Sequence, residues 1–184
     1  MKSKMVISIV VALLLSGCGL ADTQSSSGGG KAEMNMQEAA DRADVILDET
    51  FSAIKPTVQW THTYAAPGNC SVDRNRTVMT IISAERRAAF LGVVERYWKS
   101  ERYELLSVSE NGLAANFKTE DGFQLQILVG TNGQAHFSVT TPCVEKSNVL
   151  PPSTKPNGPD YSKQEVPGPN VRSKFWSAEA PISG

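Results

Sequence analysis

His62 is the residue of this chain whose type and place best suit acid–base chemistry, and Asp73 follows as a nearby carboxylate. The spacings typical of serine hydrolases, zinc proteases, phosphate-binding loops and dinucleotide-binding folds do not occur in the sequence. With two histidines in all, the sequence also offers no recognisable set of metal ligands. We therefore predict no catalytic residue, metal or cofactor, and we interpret His62 as a packed or hydrogen-bonded residue at the edge of the core.

A locally basic cluster follows His62 and includes Arg74, Arg76, Arg86 and Arg87. Such a cluster suits an anionic polymer or a phospholipid head group, although charge runs are more often solvated surface. The whole chain has 18 basic and 19 acidic residues, which excludes a strongly basic nucleic-acid-binding protein. Its 20% of charged residues and mean hydropathy of −0.24 exclude a polytopic membrane protein. We predict His62, Arg74 and Arg76 as candidate contacts for a ligand or partner.

The N-terminal segment has the layout of a secretory signal, because two lysines precede an apolar run over residues 5–15. This run is too short to span about 30 Å of hydrocarbon as a helix. The tetrad Leu15-Ser16-Gly17-Cys18 resembles the lipobox of bacterial lipoproteins, and an ordinary cleaved signal with a chance cysteine is the alternative. The resemblance implies a signal peptide over residues 1–17 and lipidation of Cys18. Residues 18–32 then form a flexible Ser/Gly tether.

Cys70 and Cys143 are the two cysteines that remain once Cys18 is lipidated. In an oxidising compartment two remaining cysteines most simply pair, so we predict a disulfide between them. A redox site or a metal site is the alternative, and the absence of a Cys-x-x-Cys spacing counts against both.

Apolar residues at three- and four-residue steps predict a helix over residues 35–54. Asn35 and Glu38 are spaced for a reciprocal cap at its start, and Pro56 stops it. A second amphipathic helix is predicted to begin after a capping Ser83 and to end near residue 103. Its expected inward positions are Ala84, Ala88, Leu91, Val94 and Trp98.

Period-two patterns predict strands at residues 58–64 and 77–82. Three turn dipeptides of the Asn-Gly or Asp-Gly type separate four further candidate strands, at 104–109, 113–119, 123–129 and 134–140. The predicted fold class is therefore α+β, with an antiparallel meander sheet of five to six strands covered on one face by two amphipathic helices. We place this single domain at residues 33–144.

Residues 145–184 form a Pro-rich tail, which contains seven of the ten prolines and has no long periodic run. Such a segment favours extended backbone and cannot fold alone. Its aromatic pair, Phe175 and Trp176, either docks onto the uncovered face of the sheet or is presented to a partner. Both residues are therefore further candidate contacts.

Over roughly residues 40–177 the chain resembles a group of small, uncharacterised cell-envelope lipoproteins of actinobacteria. The segments that carry the resemblance are Trp60-Thr61-His62, Val93-Val94-Glu95-Arg96-Tyr97-Trp98, Pro142-Cys143-Val144, Asn157-Gly158-Pro159-Asp160-Tyr161-Ser162 and Phe175-Trp176-Ser177. The resemblance implies a location at the extracytoplasmic face of the cell membrane, and it transfers no catalytic or binding residue.

Two functions follow as expectations from the lipid anchor and from the lack of catalytic spacings. The first is a non-enzymatic binding or interaction domain at the cell envelope, attached to the membrane through its lipid, with an envelope protein or polymer as partner and no nucleic acid. The alternative is a cell-envelope hydrolase that acts on wall or lipid substrates through His62 and Asp73.

Overall fold

A computed structural model describes residues 34–161 and 164–179 of the chain. The predicted signal peptide, the lipidation site Cys18 and the predicted tether lie outside the described residues. Within the described part of the chain, no helix combines the length and the apolar composition needed to cross a bilayer.

The first helix, α1, spans Met36–Ala53 and begins with the predicted reciprocal cap. The Asn35 side chain accepts hydrogen bonds from the backbone N–H groups of Gln37 and Glu38, and the Glu38 carboxylate accepts one from the Asn35 N–H. These bonds satisfy backbone donors that have no partner within the helix. The helix ends before Ile54, whose extended backbone leads into the cis peptide bond Lys55–Pro56.

Six strands form one antiparallel sheet, and the predicted α+β fold is confirmed. The strands are β1 (Trp60–Thr63), β2 (Asp73–Val78), β3 (Glu104–Val108), β4 (Ala114–Lys118), β5 (Gln124–Val129) and β6 (Ala135–Thr140). Their order across the sheet is β1-β2-β6-β5-β4-β3, so the meander β3 to β6 returns to pair with the hairpin β1–β2. Gly112, Gly122 and Gly133 lie in the turns of the meander with φ of 64°, 94° and 79°, conformations that favour glycine.

The predicted limits of the second strand were wrong, because β2 begins at Asp73 rather than at residue 77. Its polar residues pair with β6 from Asp73 to Thr77, and this pairing rather than side-chain hydrophobicity sets the start of the strand. Residues 79–82, predicted as strand, leave the sheet and donate backbone hydrogen bonds to Gln59, Val171 and Gly133.

The second helix, α2, spans Arg87–Ser100 and follows a single 3₁₀ turn at Ala84–Arg86. Ser83 does not cap it, because the Ser83 hydroxyl donates to the carbonyl of Ala178. Two of the expected inward positions, Ala84 and Ala88, are exposed. Leu91, Val94 and Trp98 are buried as predicted, and Phe90 joins them on the buried face. Ala84 lies in the 3₁₀ turn and therefore outside the helical repeat, whereas Ala88 lies on the exposed side of α2.

The core lies between one face of the sheet and the two helices. It joins apolar residues of α1 and α2 to the inward positions of the strands, among them Phe117, Ile127 and Phe137. Trp98 packs at 64° against the Phe117 ring, and its indole N–H donates to the Thr50 hydroxyl at 2.9 Å. This buried polar atom is therefore satisfied inside the core.

Described residues of the Pro-rich segment run along the free edge of β1, and Trp176 of this segment lies in the core. The Asn157 side chain accepts a hydrogen bond from the Trp60 N–H and donates one to the Val58 carbonyl, as a neighbouring strand would. Further along, Val171 exchanges backbone hydrogen bonds with Met79 and Ile81. Trp176 is 1% exposed and packs edge-on against the Phe90 ring. The prediction that Phe175 and Trp176 dock onto the uncovered face of the sheet or are presented to a partner was therefore wrong for Trp176, which lies in the core beside α2.

Candidate functional site

A cleft of about 410 Å³ opens between the β1–β2 hairpin and residues 149–152 of the Pro-rich segment. Most of its wall is hydrocarbon, and its polar groups lie on the two strands. The lining residues are His62, Thr63, Tyr64, Ala65, Pro67, Val72, Asp73, Arg74, Asn75, Val149, Leu150, Pro151 and Pro152. A concave, largely apolar wall with a few polar groups is the usual form of a small-molecule site, and this volume lies within its usual range.

His62 lies at the end of β1 and is fixed by the Pro-rich segment. Its Nε2 donates to the Thr154 carbonyl oxygen at 2.7 Å, which leaves Nδ1 as the nitrogen with a lone pair. The imidazole also meets the Trp60 ring edge-on, with centroids 5.0 Å apart. Burial lowers the pKa of His62 below its ordinary value, so the ring is neutral at neutral pH.

Arg74 connects three parts of the molecule at the wall of the cleft. Its side chain is buried, with Nε 3.1 Å from a carboxylate oxygen of Asp44 on α1. Its Nη2 donates to the Leu150 carbonyl at 2.8 Å, so one guanidinium joins α1, β2 and the Pro-rich segment. Burial raises the pKa of Asp44 to about 6, although the charge of Arg74 acts in the opposite direction.

Arg76 lies behind the cleft wall in the core. Its guanidinium is inaccessible to solvent and bonds to Asp48, with Nη2 2.5 Å from Oδ1. The same group stacks over the Trp60 ring at 4.0 Å from its centroid. The second oxygen of Asp48 accepts from the Thr154 hydroxyl at 2.8 Å. Arg76 thus supports the strand that carries His62 and does not itself reach the cleft.

Asp73 lines the same cleft as His62. One of its carboxylate oxygens accepts a hydrogen bond from the Thr140 hydroxyl across the β2–β6 pair at 2.5 Å. The structure thus brings together three residues that the sequence singled out, namely His62, Asp73 and Arg74.

Asp44 and Asp48 were missed by the sequence reasoning. They lie four residues apart on the helix face that also carries buried apolar residues of α1, and four residues is about one helical turn. Arg74 and Arg76 are two residues apart and therefore share one face of β2. The signal in the sequence was therefore two acidic residues one helical turn apart on the apolar face of α1, together with two basic residues on one face of β2.

Phe175 and Trp176 lie away from the cleft. The Trp176 indole N–H donates to the Pro56 carbonyl at 2.6 Å, and its ring meets the Phe175 ring edge-on. The Arg86 guanidinium lies 4.7 Å from the centroid of the Phe175 ring. Both aromatic residues therefore contact the domain itself.

Cys70 and Cys143 form a disulfide with Cα atoms 4.7 Å apart. The Val144 N–H donates to the Cys70 carbonyl at 2.8 Å, so backbone and side chains join the β1–β2 loop to the chain after β6. Among the described residues, no group of three or more metal-ligating side chains lies close enough together to hold a metal ion.

Comparisons with known proteins give no relationship for this chain. No protein-family model matches it, and comparisons with curated proteins and with solved structures return no match.

Proposed function

We propose that this chain is a lipid-anchored extracytoplasmic binding protein whose cleft takes an apolar group of a cell-envelope ligand. The observation that carries the proposal is the cleft of about 410 Å³, with its largely hydrocarbon wall. The lipobox resemblance at Cys18 supports the location and the attachment to the membrane. Two or more acyl chains hold a small domain stably at a bilayer.

Three polar residues of the cleft support binding because each has a partner within the protein. His62 donates to the Thr154 carbonyl, Arg74 forms an ion pair with Asp44 and donates to the Leu150 carbonyl, and Asp73 accepts from the Thr140 hydroxyl. These bonds hold the wall in a defined shape. Apolar contact with Tyr64, Val149 and the other hydrocarbon groups is then the main source of affinity.

Ala65 allows a direct test of the cleft. It lines the cavity beyond the end of β1, whereas the adjacent Ala66 is exposed and is not part of the lining. We expect Ala65→Trp to fill the cavity and to abolish co-purification of bound envelope lipids or peptides with the full-length protein. Ala66→Trp is the matched control and retains them.

Native mass spectrometry of protein extracted from its own membranes measures this difference. Identical bound molecules in the wild type and in both variants would show that the cleft is not their site. A wild type that carries no bound molecule, and to which the extracted envelope lipids and peptides do not bind, would overturn the proposal.

Cys18→Ala tests the anchor separately. We expect the unmodified protein to move from the membrane fraction to the soluble fraction of exported protein, with the melting temperature of the domain unchanged. Full membrane association of Cys18→Ala would contradict the lipid anchor.

A second candidate function, hydrolysis of wall or lipid substrates, is favoured by one observation: His62 and Asp73 line the same cleft. A neutral imidazole with a lone pair on Nδ1 is suited to act as a general base. Under this function His62→Ala eliminates hydrolysis of envelope lipid or peptidoglycan fragments. His136→Ala, which removes the other histidine from a site outside the cleft, leaves the hydrolysis intact.

A further inference from the structure

The face of the sheet opposite the helices carries a continuous row of uncharged polar residues. The strand register aligns one residue from each of the six strands across the sheet. In spatial order these are Thr63, Asn75, Ser138, Gln126, Asn116 and Ser107. At about 4.8 Å between neighbouring strands, such a row extends over about 24 Å.

Two concavities of about 340 and 200 Å³ lie along this row. Gln126 and Ser138 line both of them, so the two lie side by side along the row, and we refer to them together as the groove. The remaining lining residues are Thr63, Asn75, Thr77, Leu106, Ser107, Asn116, Phe117, Gln124, Leu125, Leu128, His136, Phe137 and Thr140. Among these lining residues His136 alone can gain a charge near neutral pH. Burial lowers the pKa of His136, which favours the neutral form of its ring.

The neighbouring row on the same face of the sheet, by contrast, carries charged residues. It contains Asp73, Lys118 and Glu104, which the strand register aligns in the same way. At a surface fraction of about a quarter to a third of charged residues, six positions carry one or two charges on average, whereas this row carries none.

Each concavity also contains an exposed leucine. Leu106 is 49% exposed in the larger one and Leu128 is 44% exposed in the smaller one. Between them the amide groups form an ordered chain, in which Gln126 donates to Asn116 and Asn116 donates to Ser107, each at 2.9 Å. A primary amide has two N–H donors and these bonds use one of each, so a ligand can take the second.

We propose that this groove binds an uncharged glycan chain. A sugar ring presents an apolar C–H surface and a rim of hydroxyl groups, which complement the exposed leucines and the amides. The groove provides hydrogen-bond donors and acceptors without an ionic partner, so burying a charged polymer there would leave its charges uncompensated. A row about 24 Å long extends over several sugar units, which favours a polymer over a monosaccharide.

The test uses the full-length protein on an array of neutral and acidic oligosaccharides of graded length. We expect binding to neutral chains, with affinity that rises with length, and no preference for acidic chains. Affinity for the best neutral oligosaccharide is then measured by titration calorimetry for the wild type and two variants.

Gln126→Glu places one negative charge at the centre of the groove, at an exposed position, and removes the amide that donates to Asn116. We expect it to weaken glycan binding by about tenfold or more. Lys118→Gln is the matched control, because it changes the net charge equally on the same face but outside the groove. It keeps the wild-type affinity within about twofold. Leu128→Ser is a second groove variant, and it too is expected to weaken binding.

Three results would overturn the proposal. They are an array without neutral ligands, equal affinity of Gln126→Glu and Lys118→Gln, or a preference for acidic chains. A dimer that Gln126→Glu dissociates, in a protein that binds no glycan, would identify the face as an interface between two copies instead. The cleft and the groove share Thr63 and Asn75, whereas Ala65 lines only the cleft and Gln126 lines only the groove. We expect Ala65→Trp to keep glycan binding and Gln126→Glu to keep the molecules bound in the cleft, so failure of this inference is distinguishable from failure of the proposed cleft function.

Discussion

Asp44 is the residue at which burial and ion pairing act most clearly in opposite directions. Its side chain and that of Arg74 are 8% and 9% exposed, so both charges have lost most of their hydration. The pKa of Asp44 nevertheless rises from 3.8 to about 6, which means that the loss of hydration outweighs the attraction of Arg74. The folded protein therefore retains this proton over a pH interval in which the unfolded chain has released it.

The stability contributed by Asp44 should fall as the pH rises from about 4 to about 6, because the pKa is higher in the folded state. Asp44→Asn removes this titration. We expect the free energy of unfolding of the wild type, relative to Asp44→Asn, to decrease by on the order of 2 kcal/mol over that interval. Urea unfolding at closely spaced pH values measures the difference.

Asp41→Asn makes the same chemical change at an exposed position of α1 and is the control for effects on the helix. A wild-type advantage over Asp44→Asn that grows between pH 4 and pH 6 would contradict this prediction. Such a result would mean that the charge of Arg74 lowers the pKa of Asp44 by more than burial raises it.

Arg76 should be intolerant even of lysine. Its guanidinium is buried, bonds to Asp48 and stacks on Trp60, and a lysine ammonium cannot reproduce the planar stacking. We expect Arg76→Lys to lower the free energy of unfolding by about 2 kcal/mol or more. Arg42→Lys, in a half-exposed ion pair with Asp121, changes it by less than about 0.5 kcal/mol. Equal effects in chemical denaturation would show that Arg76 is not a structural residue.

The candidate site could be predicted from the sequence only in part, because some of its contacts join residues that are far apart in the chain. His62, Asp73 and Arg74 are close in sequence and in space, so residue type and local pattern suffice to select them. Whether an arginine on a strand is solvated or buried depends on residues elsewhere in the chain. The carboxylates that allow Arg74 and Arg76 to be buried belong to α1, and no local pattern connects them.

At the scale of elements, the parts that local interactions determine were predicted well. Helix α1 follows from its apolar period and its capping box, and the three hairpins of the meander follow from their turn dipeptides. The start of β2 depends on pairing with β6, which lies more than fifty residues later in the chain. The burial of Thr61 likewise depends on Tyr161, whose backbone N–H donates to the Thr61 hydroxyl.

Trp176 packs the Pro-rich segment into the folded domain. Its indole is 1% exposed, packs against Phe90 and donates to the Pro56 carbonyl. We expect Trp176→Ala to lower the free energy of unfolding by roughly 3–5 kcal/mol, the usual cost of removing a buried tryptophan. Leu150→Ala, at a position 59% exposed in the same segment, should cost less than about 0.5 kcal/mol.

Urea unfolding followed by circular dichroism measures both Trp176→Ala and Leu150→Ala. An unchanged midpoint for Trp176→Ala would show that the segment is dispensable for the fold. The prediction also implies that a chain ending at Val144 loses stability as well as any partner bound by the segment. Loss of a partner on that truncation would therefore not by itself identify where the partner binds.

At the scale of the whole molecule, the disulfide encloses nearly all of the sheet. Cys70 and Cys143 are separated by 73 residues, and β2, α2 and the entire meander lie between them. A cross-link that closes a loop of this length removes conformational freedom from the unfolded chain. In the chain-entropy description this stabilises the folded protein by about 4 kcal/mol.

We expect the double variant Cys70→Ala, Cys143→Ala to unfold at a clearly lower temperature and urea concentration than the wild type. Reduction of the wild type should reproduce that decrease, whereas the same reductant should not shift the double variant further. If the reduced wild type melts at the same temperature as the oxidised protein, the pair is not a stabilising disulfide, and the enclosed sheet and helices hold the fold without it.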